Sequence, residues 1–441
     1  MKTVAINRRD KTKTDRASKV HKDWYKLDLS AIVYPTLQRR DFSSVYRLSV
    51  LLKEEIDPEM LQRAVNLTMP RFPTYKAAIR KGVFWRYLEP NDRPGPFVQE
   101  DVKNPCQPMH FKGNNRYLVR IYYYRNRIAL EAHHSLGDGT GGMCVLQTLT
   151  ATYLRLKGHS EIENGGFVLD ILGIPDPGEL EDAYMKYANA KVCPPRPGEK
   201  TYRVRGTKEP FYTLNIIDGI MSVSEVMRVA KSYNATITEY LNSVLLYALM
   251  RKQESEWHLK LRPVKIAMPV NLRRFFPSRT LRNFITMIYP GIDPRLGEYT
   301  FEEIVTQVHN YMRYYLNEKL LRGDITTNAE TQRNPFIRIV PLFIKDLVVR
   351  QFYTKIQDKN SSAGLTNMGA LKVPETMKPY IERFDIYMGQ PFSTRTNCAI
   401  ASFEDILTIN FASSIAETDV ERLFFRKLVQ DGIHVKIESN R

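Results

Sequence analysis

Nowhere in these 441 residues does an apolar run reach the length of about 18 positions that a helical membrane span requires. The N-terminus also lacks the apolar stretch of a secretory leader, so a cytoplasmic location is expected. Cysteine is scarce. Cys106, Cys144, Cys193 and Cys398 stand far apart with no CxxC pair, which excludes a disulfide framework, argues against a zinc ribbon and leaves free thiols as the expectation. Low-complexity segments and internal repeats are absent, which removes linker-like and solenoid architectures.

What the chain has in quantity is apolar mass and positive charge. Hydrophobic residues make up 43% of it, enough to bury one large core or two ordinary ones, and its length favours two domains. The net charge is +17, which draws anions at long range without naming one. Eight Lys or Arg against Asp10 and Asp15 place +6 of that charge in residues 1–22, a tail with little to bury and expected to be disordered. A phosphate-bearing cofactor, an acidic partner protein, an anionic membrane surface and nucleic acid would all be attracted to such a surface, and a plain solubilising surface would look the same.

Elements of both kinds alternate along the chain. Ser44 to Leu52 reads as a strand, and Asp57-Pro58 supplies an N-cap and a first-turn proline for a helix ending before Pro70. Tyr117 to Tyr124 and Arg127 to His133 read as strands joined by the two residues Arg125-Asn126, a hairpin. After a Gly-rich turn, Met143 to Leu156 has apolar residues at helical spacing, with Gly158 as a stop. The region from Asp170 to Arg205 loses regular pattern and gains prolines, so the halves divide there: 23–180, a linker at 181–205, and 206–441. In the second half, Ser222 with Glu225 and Thr236 with Glu239 predict capped helices, Val264 to Val270, Ile285 to Tyr289 and Ile406 to Phe411 predict strands, and Thr418 with Glu421 predicts a last capped helix stopped by Gly432.

The chemistry gathers in His133-His134-Ser135-Leu136-Gly137-Asp138-Gly139. A histidine just past a strand end is held rigidly while its ring reaches a cleft, and its ordinary pKa lies near working pH, which suits a general base. Adjacent strand residues face opposite sides, so one of His133 and His134 faces the cleft and the other packs. Asp138 is expected to brace the turn, through an arginine, and not to touch substrate. The alternative for the histidine pair is a role as satisfied core residues. A metal site of His133, His134 and Asp138 lacks a further ligand at motif spacing, so no metal is expected. Gly137 to Gly142 also fits GxGxxG between strand and helix. Against a dinucleotide fingerprint, the strand ends in two histidines and the next acids precede any second strand.

The run HHSLGDG resembles the HHxxxDG signature of the chloramphenicol acetyltransferase-like superfamily, which includes alcohol O-acetyltransferases, polyketide-associated acyltransferases and peptide-synthetase condensation domains. The chain looks most like the stand-alone, alcohol acetyltransferase-like members. The likeness extends over roughly Trp24 to Ile437, with weaker matches at Pro269 to Arg273, Asn283-Phe284 and Thr366 to Gly369. It implies an α/β fold of two similar two-layer domains, with an active-site tunnel at their interface. By the same likeness His134 is the base, Asp138 followed by Gly139 is the structural part of the motif, His133 is supporting, Arg273 is the candidate partner of Asp138, and Thr366 or Asn367 is the oxyanion donor. It further implies acyl transfer from coenzyme A or a phosphopantetheine-linked acyl carrier protein to a small alcohol or amine. No acyl-enzyme and no permanently bound cofactor are needed.

The sequence departs from relatives as well. The DFGWG segment of plant acyltransferases is absent, Thr140-Gly141-Gly142 lacks the serine frequent in condensation domains, and no carrier or adenylation domain is attached, so peptide-bond formation is disfavoured. A catalytically silent, condensation-like protein that binds a carrier protein or small ligand is the alternative. Nucleic-acid binding has no reader motif and is not expected.

Overall fold

The computed structural model describes residues 24–38, 42–191, 199–210, 213–256, 258, 260–355, 360–389 and 394–441. The basic tail at 1–22, Cys193 and the prolines at 194, 195 and 197 lie outside the described residues. Cys106, Cys144 and Cys398 are buried free thiols.

In the first half the strand β1 spans Val45–Leu52 and is buried along its whole length, as a central strand with layers on both faces must be. Helix α1, Pro58–Thr68, starts where the sequence places it: the Asp57 carboxylate accepts from the Glu59 and Met60 amides, and Pro58 occupies the first turn. A short strand β2 (Val98–Glu100) precedes the hairpin of β3 (Val119–Tyr124) and β4 (Arg127–His133). Helix α2 then runs from Gly139 to Leu156. The Gly-rich stretch is thus the first turn of this helix and not a turn before it, a correction of four residues. The reason is local: Asp138 caps the helix, accepting from the Thr140 and Gly141 amides at 3.1 and 3.2 Å. Within the Pro-rich region a short helix α3, Ala183–Tyr187, packs Ala183 and Tyr184 into an apolar cluster with Leu272, Phe276 and Phe284.

The second half contains β5 (Asn215–Ser222), α4 (Val223–Ser232), α5 (Ile237–Ser255), β6 (Val264–Asn271) and β7 (Ile285–Ile288). The Thr236 and Glu239 side chains form a complete capping box at the start of α5. Helices α6 (Phe301–Tyr315), α7 (Glu318–Arg333), α8 (Pro335–Ile339) and α9 (Leu342–Lys355) follow. The chain ends with β8 (Ala363–Ala370), β9 (Ile381–Met388), β10 (Thr396–Phe403), β11 (Ile406–Ser413), α10 (Asp419–Gln430) and β12 (Lys436–Ser439). The expected capping box at Thr418 is not formed, because Thr418 makes no side-chain cap bond and Glu421 is buried against the Thr396 hydroxyl at 3.1 Å.

The molecule is a mixed α/β structure. One sheet has the strand order β9-β1-β4-β3-β2 and a larger one the order β7-β6-β8-β10-β11-β5-β12, each of these two with its own large apolar cluster, while Tyr25–Lys26, Arg86–Pro90 and Ala77–Lys81 form a small third sheet. Strand β9 comes from the second half yet pairs antiparallel with β1, Phe384 opposite Val50. Its Tyr387 hydroxyl donates to Asp218 at 2.9 Å, and Asn410 donates to the same carboxylate at 2.8 Å, so a buried polar knot joins the two sheets. Among the described residues no helix is long and apolar enough to cross a membrane.

Candidate active site

Strand β4 delivers the histidines. Its ladder with β1 ends with the His134 amide donating to the Ser44 carbonyl at 2.8 Å, which fixes the backbone at the strand end. The side chains then part, as strand alternation requires. His133 is fully buried, edge-on to Phe111, and its Nδ1 accepts from the Ser135 amide at 3.2 Å, which puts its proton on Nε2. His134 faces a cavity of about 2040 Å³ between the two sheets. Its ring stacks on Tyr34 at 4.7 Å and lies tilted against Tyr46 at 4.6 Å.

Burial pushes the His134 pKa down to about 4, although the nearby Asp138 charge pulls it upward. Burial pushes His133 down to about 3, with the neighbouring His134 adding to the effect. At neutral pH both rings are therefore uncharged, and the one that reaches the cavity is a base ready to accept a proton.

Asp138 is used up in bracing. One carboxylate oxygen accepts from the Thr140 and Gly141 amides, and the other from Arg273 at 2.8 Å and the Phe284 amide at 2.9 Å. Arg273 is itself committed further, to the Thr280 carbonyl at 2.9 Å and the Arg282 carbonyl at 2.6 Å. The segment carrying Arg282 to Phe284 is thus tied to the end of β4. Asn283 adds another tie, donating to the His134 carbonyl at 2.9 Å while Asp28 accepts from the same amide at 3.0 Å.

The glycines serve packing. A Cβ on Gly141 would strike the Leu281 carbonyl, one on Gly142 would lie 2.6 Å from the Tyr46 hydroxyl oxygen, and one on Gly139 would lie 3.0 Å from the Met368 sulfur. Since Asp138 already occupies the N-terminus of α2, no amide cradle is left there for a pyrophosphate, and the dinucleotide reading loses its physical basis. Among the described residues no cluster of His, Cys, Asp and Glu could hold a metal ion.

Thr366 and Asn367 lie on β8 and line the same cavity as His134. Asn367 spends its amide on the Thr238 hydroxyl at 2.8 Å and its carbonyl oxygen on the Gly369 amide at 2.7 Å. Sequence reasoning missed Tyr34 and Tyr46, the rings that enclose His134. Neither has a spacing signal, because one sits beside the site on a short segment before β1 and the other alternates among core residues of β1.

No family model matches this sequence, and no curated protein matches it. Solved structures do. F. sporotrichioides TRI101 complexed with coenzyme A and T-2 has a TM-score of 0.62 at 13% identity, over 94% of this chain and 99% of that one. A variant starter condensation domain of rhizomide synthetase in complex with C8-CoA has a TM-score of 0.58 at 13% identity, over 96% and 100%. Polyketide synthase associated protein 5 from Mycobacterium tuberculosis has a TM-score of 0.57 at 13% identity, over 92% and 97%. The fold of this chain is accordingly the chloramphenicol acetyltransferase-like fold, the architecture of acyltransferases and condensation domains.

Proposed function

We propose that the protein is an acyltransferase that moves an acyl group from a thioester, either acyl-CoA or an acylated carrier protein, to a hydroxyl or amine acceptor. The observation that carries this reading is the division of labour in the His-His pair: His133 packs, and His134, neutral near pH 7, faces a cavity large enough for both substrates. In the proposed reaction His134 takes the proton from the acceptor as the acceptor attacks the thioester carbonyl. The tetrahedral adduct collapses, the C–S bond breaks, and the same ring returns the proton to the thiolate. Asp138 has both oxygens occupied and acts by position alone, with Gly139 leaving room beside Met368. Of the two oxyanion candidates, Asn367 is bound elsewhere, which favours the Thr366 hydroxyl. The halves at 23–180 and 206–441 are proposed as the two domains whose facing sides form the cavity.

The test is thiol release from acetyl, butyryl and palmitoyl coenzyme A with a panel of alcohols and amines. Acceptor-dependent release is expected, reduced by roughly 10²- to 10⁴-fold in His134→Ala. For the wild type, kcat/KM should stay level down to about pH 5 and fall near pH 4, as the free base is protonated. Turnover unchanged in the variant removes His134 from the chemistry. Release from no coenzyme A thioester moves the assay to acylated carrier protein, where tight binding without turnover establishes the silent alternative.

A further inference from the structure

Helices α8 and α9 are built inside out. The inward face of α9 is polar: Asp346 accepts from Thr36 at 2.8 Å and pairs with Arg86 at 2.6 Å, and Arg350 donates to the Thr36 carbonyl at 2.8 Å. The outward face is apolar. Phe343, Leu347 and Val348 are 68%, 60% and 60% exposed, and Phe336 and Ile339 of α8 are 77% and 69% exposed. The neighbouring loop extends this surface, since the Leu342 amide donates to the Val83 carbonyl at 2.8 Å and Lys345 to the Phe84 carbonyl at 2.9 Å, while Val83, Phe84 and Trp85 are exposed. A surface helix of a soluble domain normally shows the reverse pattern, and a contiguous exposed apolar patch marks a surface with something to cover it.

Charge selects what covers it. Residues 332–355 contain five Lys or Arg and one acid, Asp346, which Arg86 already neutralises. Exposed Arg338 therefore stands among the aromatic and aliphatic residues of α8, with Arg333, paired to Glu330 at 3.4 Å, just before them. A second copy would bring this same positive surface against itself, and nucleic acid has no use for the apolar residues. Aromatic and aliphatic side chains accompanied by arginine match an anionic bilayer, into which the apolar groups sink while the cations meet the headgroups. Phe84, Trp85, Ile337 and Val348 belong to this surface and also line the cavity that His134 faces, so an opening of the cavity lies within the patch.

We propose that α8, α9 and the Val83–Trp85 loop dock the protein on an anionic lipid surface, with the cavity opening turned toward the bilayer. Substrates with long apolar chains then pass from lipid to cavity without crossing water. The docking stands apart from the acyl-transfer reading, and its test reads binding only.

The full chain is sedimented with phosphatidylglycerol vesicles and, separately, with phosphatidylcholine vesicles. Binding is expected to the anionic vesicles, weaker to the neutral ones, and reduced by added salt. Phe343→Glu with Leu347→Glu should lower affinity by about tenfold or more. Arg338→Glu, which leaves every apolar side chain in place, should lower affinity for the anionic vesicles by about fivefold or more. All three residues are exposed, so unchanged thermal unfolding serves as the check on folding. No binding to phosphatidylglycerol, equal binding by wild type and both variants, or a wild-type dimer that Leu347→Glu dissolves would each overturn the proposal.

Discussion

Asp138→Ala tests the bracing role most directly, because one carboxylate carries a helix cap, a charge pair and a tie to Phe284. Losing the cap costs about 1 kcal/mol. Breaking a buried ion pair costs about 3–5 kcal/mol when the partner is left behind, and here the Arg273 side chain is only 12% exposed. Arg273 keeps the Thr280 and Arg282 carbonyls as acceptors, which places its loss at the lower end of that range. The two costs share one carboxylate, so the expected total is about 3–4 kcal/mol. In a background of Arg273→Met the charge is gone, and Asp138→Ala should then cost only the cap and the Phe284 bond, about 1–2 kcal/mol. The coupling energy from the cycle is accordingly about 2 kcal/mol. Urea unfolding of the wild type, both single variants and the double variant, followed by circular dichroism, measures it. Additive costs within about 0.5 kcal/mol, or a loss below about 1 kcal/mol for Asp138→Ala alone, would refute the bracing argument.

Two further outcomes are expected. Burial, with the charge of Asp385 added, pushes the Asp218 pKa up to about 7, so the native state holds a proton between about pH 4 and 7 that the unfolded chain has released, and stability falls as pH rises through that window. His134 acts in the opposite sense, since its folded value of about 4 lies below the unfolded value and its contribution is lost as pH falls from about 6.5. Asp218→Asn isolates the first effect: thermal unfolding across pH should show the variant gaining on wild type toward pH 8, and parallel curves would refute it. Gly141→Ala forces a methyl into the Leu281 carbonyl and should cost about 3 kcal/mol by chemical denaturation, whereas a cost within about 0.5 kcal/mol would mean that the contact between α2 and the Leu281 segment yields freely.

Local chemistry made much of this molecule readable. Asp57-Pro58, the Arg125-Asn126 hairpin and the Thr236–Glu239 capping box each complete their own hydrogen bonds within a few residues, so sequence neighbours suffice to predict them. The start of α2 was misread because glycines signal turns. Here they are helical residues kept small by Leu281, Tyr46 and Tyr75, which lie far away in sequence. Glu421 fails for the same kind of reason, since its tertiary partner Thr396 outcompetes the local cap. The pairing of β9 with β1 joins residues more than three hundred positions apart, and no periodicity encodes such a partner. In α8 and α9 the apolar residues carry the pattern of a core segment, while the structure turns them outward because Asp346 and Arg350 hold the other face.

The same non-local ties explain how a run of seven residues holds the His134 ring at the cavity. On the chain it joins a strand to a helix. In space, Asp138 binds Arg273 and the Phe284 amide, Asn283 binds the His134 carbonyl, and Leu281 presses on Gly137 and Gly141, so a segment of the second half closes over the strand end of the first. The His134 ring interacts with the Asn283 side chain and the Gly137 backbone and is stacked against Tyr34 and Tyr46. Backbone ties thus fix where the ring is rooted, aromatic contacts together with Asn283 fix where it points, and burial keeps it uncharged. Each of these depends on contacts between residues distant in sequence, so the His134 ring is set in place only when both halves of the chain have folded together.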